Sequence, residues 1–175
     1  MQAHDHSQYR PSQRIGLLIL VALTYLLTGR AGLSMYVTEV GATLIWAPTG
    51  ISIAAVYVLG RWVWPGIWLG SLITNLAITP LPSALMIACG NTGEALLAVW
   101  LIRRWSSSET PFDSVRDVLG YVLLACLGAA SLSASIGTFT LFSGGLLGEA
   151  EPRAVWWLWW LGDMMGALLL APILI

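Results

Sequence analysis

Two acids stand inside apolar runs of this chain. Asp163 lies in WWLWWLGDMMGALLLAP, Trp156–Pro172, and Glu94 lies in CGNTGEALL, Cys89–Leu97. A charged group inside a membrane span costs roughly 2.5–3.5 kcal/mol on insertion scales, so it usually faces other helices and marks function. Asn91 precedes Glu94 by three residues and falls on the same side of a helix. Trp156, Trp160, Asp163 and Ala167 recur at i, i+4, i+7 and i+11, and so share one face. Arg30 and Arg153 are the only cations placed to reach Asp163, and Glu94 has none at matching depth. Acids so isolated are candidates for a proton-linked role. The plainer alternative is that each polar group only hydrogen-bonds a neighbouring helix, at about 0.6 kcal/mol per contact.

Other chemistry finds little support. There is no phosphate-binding loop, no HExxH and no CxxC. The two histidines, His4 and His6, fall in a polar tail over 1–13, so neither a Ser–His–Asp set nor a metal site is expected. No catalytic residue and no cofactor are predicted. A net charge of −1 and the lack of a DNA-binding motif argue against nucleic acid. Cys89 and Cys126 sit in apolar runs and read as small buried hydrophobes.

The elements that position the acids follow from composition. Of 175 residues, 57% are hydrophobic and 10% charged, against about 25% charged in soluble domains. The chain is expected to be an all-α integral membrane protein. Six runs approach the roughly 20 apolar residues of a spanning helix: about 14–33, 46–60, 62–79, 82–103, 117–142 and 154–175. The runs do not alternate, which favours a helical bundle over a barrel. The first run follows Arg10 and Arg14 like a signal peptide, but no clean cleavage site follows, so a retained helix is expected.

Arginines set the expected orientation. With the N-terminus in the cytoplasm, Arg10, Arg14, Arg61, Arg103, Arg104 and Arg116 lie inside, while Arg30 and Arg153 lie outside. Both termini are then cytoplasmic. Trp156, Trp157, Trp159 and Trp160 fall at the outer interface, where aromatic belts form. The segment Ser106–Ser114 is a cytoplasmic loop in which Asp113 or Ser114 caps the next helix.

Helices in lipid associate through small residues. Gly66 with Gly70 and Gly162 with Gly166 form two GxxxG pairs, and Ala125, Ala129, Ser133 and Gly137 form a seam on the fifth helix. Trp64, Trp68, Ser71 and Asn75 share a stripe of the third helix, and WAPTG, with Trp46, Pro48 and Thr49, opens the second. The predicted site is an outward cavity lined by tryptophan and floored by Asp163, Asn75, Asn91 and Glu94.

The order of these motifs resembles a known family. WAPTGISIAAVYVLGRWVWPGIWLGSLITNL (Trp46–Leu76), ACGNTGEALLAVWLIRR (Ala88–Arg104), FDSVRDVLGYV (Phe112–Val122) and WWLWWLGDMMGALLLAPILI (Trp156–Ile175) are similar to the first of the bacterial membrane-associated sensor domains, the MASE group. That group stands N-terminal to histidine kinases and diguanylate cyclases. The resemblance covers most of 15–175. The family typically has about eight spans, and this chain resembles the first six. It implies a sensory input module whose stimulus is an unknown small ligand or another cue, and whose partner is a cytoplasmic kinase or cyclase. A homodimer is a further arrangement to test. Two rivals remain: a substrate-capture component of a vitamin-type transporter, and a purely structural membrane protein.

Overall fold

The computed structural model describes residues 9–34, 44–106 and 112–175. The histidines of the tail, much of the connection before Trp46 and most of the Ser106–Ser114 loop lie outside the described residues. Among the described residues the chain is helical, with no strand. Helices occupy each of the six expected segments. These are α1 (Pro11–Ser34), α2 (Ala47–Leu59), α3 (Trp64–Asn75), α4 (Leu81–Trp105), α5 (Val115–Ser143) and α6 (Pro152–Leu174). A single 3-10 turn, Arg61–Val63, leads into α3.

Proline sets several starts. Pro11, Pro65, Pro82 and Pro152 stand in the first turns of their helices, where a missing N–H costs nothing. Pro11 also starts α1 three residues ahead of the expected 14. At the end of α3 the expected run to 79 stops at Asn75. Thr79 precedes Pro80, and a residue before proline is pushed away from helical angles. Gly60 adopts φ +101° between α2 and the 3-10 turn, an angle that glycine alone takes without strain.

Four helices, α1, α4, α5 and α6, are long and apolar enough to cross a membrane. With 13 residues α2 is shorter, and α3 has 12. Large apolar side chains on the outside of α1, such as Ile15, Ile19, Leu20 and Leu27, are exposed. That is the surface a lipid-facing helix requires. In the packing order α1 lies on α3, α3 on α4, α4 on α5, and α6 on both α2 and α5. α2 and α4 also meet, so they form the middle of the bundle.

The fifth helix departs from simple winding. Its segment Tyr121–Ala129 is a π-helix, with hydrogen bonds reaching five residues back rather than four. Ser114 caps this helix: its hydroxyl accepts the Asp117 N–H at 3.1 Å and donates to Asp117 Oδ2 at 2.7 Å. Of the two expected caps, Ser114 and not Asp113 serves.

Glycines let the helices approach closely. A Cβ on Gly66 would meet the Leu18 carbonyl at 2.7 Å, and one on Gly70 the Ala22 carbonyl at 2.8 Å, so this pair seats α1 against α3. Gly166 lies against the Trp46 carbonyl, and Gly50 against the Gly166 carbonyl, seating α2 on α6. Gly137 faces the Trp159 ring. Ala125, Ala129 and Ser133 are buried along the same helix.

One expectation about exposure needs correction. Cys126 is buried, but Cys89 is exposed on the outer side of α4 and accepts a 3.5 Å contact from Trp68 Nε1. An apolar run buried in lipid need not be buried in protein, and the sequence does not separate the two. Trp64, on the expected α3 stripe, is likewise exposed while Ser71 and Asn75 are buried.

One end of the bundle gathers cations and aromatic rings. Arg14 stacks over Trp62, Arg103 over Tyr57 and Arg116 over Trp105, at 5.2–5.9 Å. Arg103 also donates to the Tyr57 carbonyl at 2.8 Å. Arg61 and Arg104 adjoin these residues in sequence.

Candidate functional site

The two acids meet at the centre. Asp163 is 0% and Glu94 1% exposed. The carboxyl of Glu94 on α4 neighbours that of Asp163 on α6. Thr49, in the first turns of α2, donates to Asp163 Oδ1 at 2.9 Å. The Ser133 hydroxyl borders both acids, and the Trp159 indole borders Asp163. Both oxygens of Glu94 and Asp163 Oδ2 are buried without a hydrogen-bond donor among the described residues. A carboxylate only accepts, so two facing carboxylates cannot bond to each other. Two full charges about 4 Å apart would repel by about 4 kcal/mol at an effective dielectric near 20.

Asn91 builds the adjoining network. Its Nδ2 donates to the Tyr25 hydroxyl at 2.9 Å and to Ser71 Oγ at 2.8 Å, and its Oδ1 accepts from Ser133 Oγ at 2.8 Å. Trp159 Nε1 donates to Ser133 Oγ at 3.2 Å. The chain of contacts therefore draws on all six helices: Tyr25, Thr49, Ser71, Asn91 with Glu94, Ser133, and Trp159 with Asp163. Asn75 lies at its margin and donates to the Ser71 carbonyl of its own helix at 2.8 Å. Trp46 lies beside the Tyr25 hydroxyl, and Pro48 is fully buried nearby.

The tryptophans divide differently from the expected face. Trp156 and Trp160 stack at 6.0 Å, but their indole N–H groups turn to α5. They donate to Ser135 Oγ at 3.1 Å and to the Leu127 carbonyl at 3.0 Å. Trp159 is the one that joins the acids. Sequence spacing carried the signal, since Trp159 stands four residues before Asp163 and thus on its face. Tyr25 was also missed; its signal was a lone phenol in the middle of an apolar helix. Of the polar groups expected at the site, Asn91 and Asp163 hydrogen-bond to other helices. A groove of about 280 Å³ opens elsewhere, on the apolar flank between α1 and α3, lined by residues such as Leu18, Ala22, Gly66 and Leu69.

Four helices long and apolar enough to cross a membrane, in a bundle without a strand among the described residues, define a multi-pass α-helical membrane protein. Residues 17–175 match the MASE1 family model, and the chain belongs to that family. MASE1 is a membrane-associated sensory input domain and is found in signalling proteins with kinase or cyclase domains. No curated protein and no solved structure matches the chain.

Proposed function

We propose that this chain is the signal-input part of an inner-membrane receptor, in which a stimulus shifts helix packing around Glu94 and Asp163. The observation that carries the reading is the single polar network contributed by all six helices. A change at any one member alters the partners of the rest, as a two-state bundle needs. All six helices cross the bilayer, the shorter α2 and α3 being covered by their neighbours. Both termini face the cytoplasm, in keeping with the arginines at one end. α6 carries Asp163 and ends at the arginine side, so it passes the change to a kinase or cyclase. The seam of Gly50 and Gly166 between α2 and α6 is where one packing gives way to the other.

The test is effector output from the native protein that carries this segment. Asp163→Asn, Glu94→Gln and Thr49→Val should each shift basal kinase or cyclase activity at unchanged membrane levels. Unchanged output from all three would sink the reading and favour a structural role for the network.

A further inference from the structure

The facing acids leave a chemical requirement unmet. Asp163 Oδ1 accepts from the Thr49 hydroxyl, and Oδ2 has no donor, with the Glu94 carboxyl nearby. Neither Oδ2 nor either Glu94 oxygen has a donor among the described residues. We propose that Glu94 and Asp163 hold one exchangeable proton between them, so that the ligand of this site is a hydrogen ion. The inference rests on the sensory reading above and names the chemistry to which that site responds.

The surroundings support a proton over other fillings. The groups facing the pair are neutral: Tyr25 from α1, Thr49 from α2, Ser133 and Cys126 from α5, and Trp159 from α6. Tyr25 and Cys126 are the further titratable groups that face it, and both are neutral acids. Three of the arginines stack on aromatic rings at the end of the bundle. No described neighbour of the pair therefore offers a compensating positive charge. A proton placed between the carboxyls supplies the missing donor and removes one negative charge in a single step. Its loss leaves two like charges side by side, and the two helices bearing them, α4 and α6, are then driven apart.

The amide variants imitate the protonated state. In Glu94→Gln or Asp163→Asn an NH₂ group donates where the shared proton stood, with nearly the same shape. The experiment is infrared spectroscopy of the full chain in lipid nanodiscs, titrated through pH in water and in deuterium oxide. The expected result is a C=O stretching band of a protonated carboxyl that shifts down in deuterium oxide and is lost as pH rises. Both single amide variants should lack it. Absence of the band at every pH where the protein is folded overturns the proposal, and so does a band that persists in both variants. A carboxylate spectrum that responds to sodium or potassium, with no protonated band, overturns it in favour of an alkali-cation site. Effector output measured on the same variants separates the two readings. A titrating band with unmoved output keeps the proton site and removes its sensory role. Shifted output without the band keeps the sensory role and removes the proton.

Discussion

Trp46 donates its backbone N–H to the carbonyl of Gly162 at 2.8 Å, a bond between the head of one helix and the body of another. One turn further along α6, Gly166 sits beneath the Trp46 carbonyl with no room for a methyl group. Gly166→Ala should therefore destabilise the bundle by roughly 1–3 kcal/mol, the usual range for overpacking. Gly16→Ala is the control, because nothing lies within 4 Å of a Cβ there. It should be neutral or up to about 1 kcal/mol stabilising, from helix propensity alone. Thermal unfolding in detergent compares the two.

Asn91 should matter more than any one of its partners. Tyr25→Phe removes one interhelical bond, at about 0.6 kcal/mol. Asn91→Ala removes the contacts to Tyr25, Ser71 and Ser133 together and should cost roughly three times as much, about 2 kcal/mol. Equal losses from the two variants would show that the network is not centred on Asn91.

Gly137 and Trp159 form a second coupled pair, since the indole lies over the glycine. Gly137→Val pushes the ring away and with it the donor to Ser133. Trp159→Phe removes the same donor directly. The double variant should lose less stability than the sum of the singles, with an interaction energy of about 0.5 kcal/mol or more. Strict additivity would mean that the valine is accommodated without moving the ring.

Orientation can be read by labelling. With Cys89 and Cys126 replaced by Ala, Gly148→Cys should react with a membrane-impermeant maleimide in intact cells. Ser106→Cys should react only after the cells are opened. The reverse pattern would invert the proposed topology.

The elements were legible because lipid demands long apolar runs, and six such runs are visible in the composition. The two acids were legible for the same reason, as exceptions within those runs. Their meeting was not, because nothing in CGNTGEALL says which helix lies opposite Glu94. The roles of Trp156, Trp159 and Trp160 were not separable either. All three lie within one turn of Asp163's face or its border, and where an indole N–H points is decided by rotamer and neighbour. The π-helical stretch Tyr121–Ala129 left no sign, since YVLLACLGA is an ordinary apolar run. Cys89 shows the complementary failure, in that apolar surroundings in sequence do not distinguish a neighbouring helix from lipid.

The arginine and aromatic end has a practical outcome. The chain has eight arginines and no lysine. Lysine acetylation finds no target on this chain, and amine-directed cross-linkers find no side chain to join. Mapping its neighbours in the membrane calls for carboxyl or photoactivated chemistry instead.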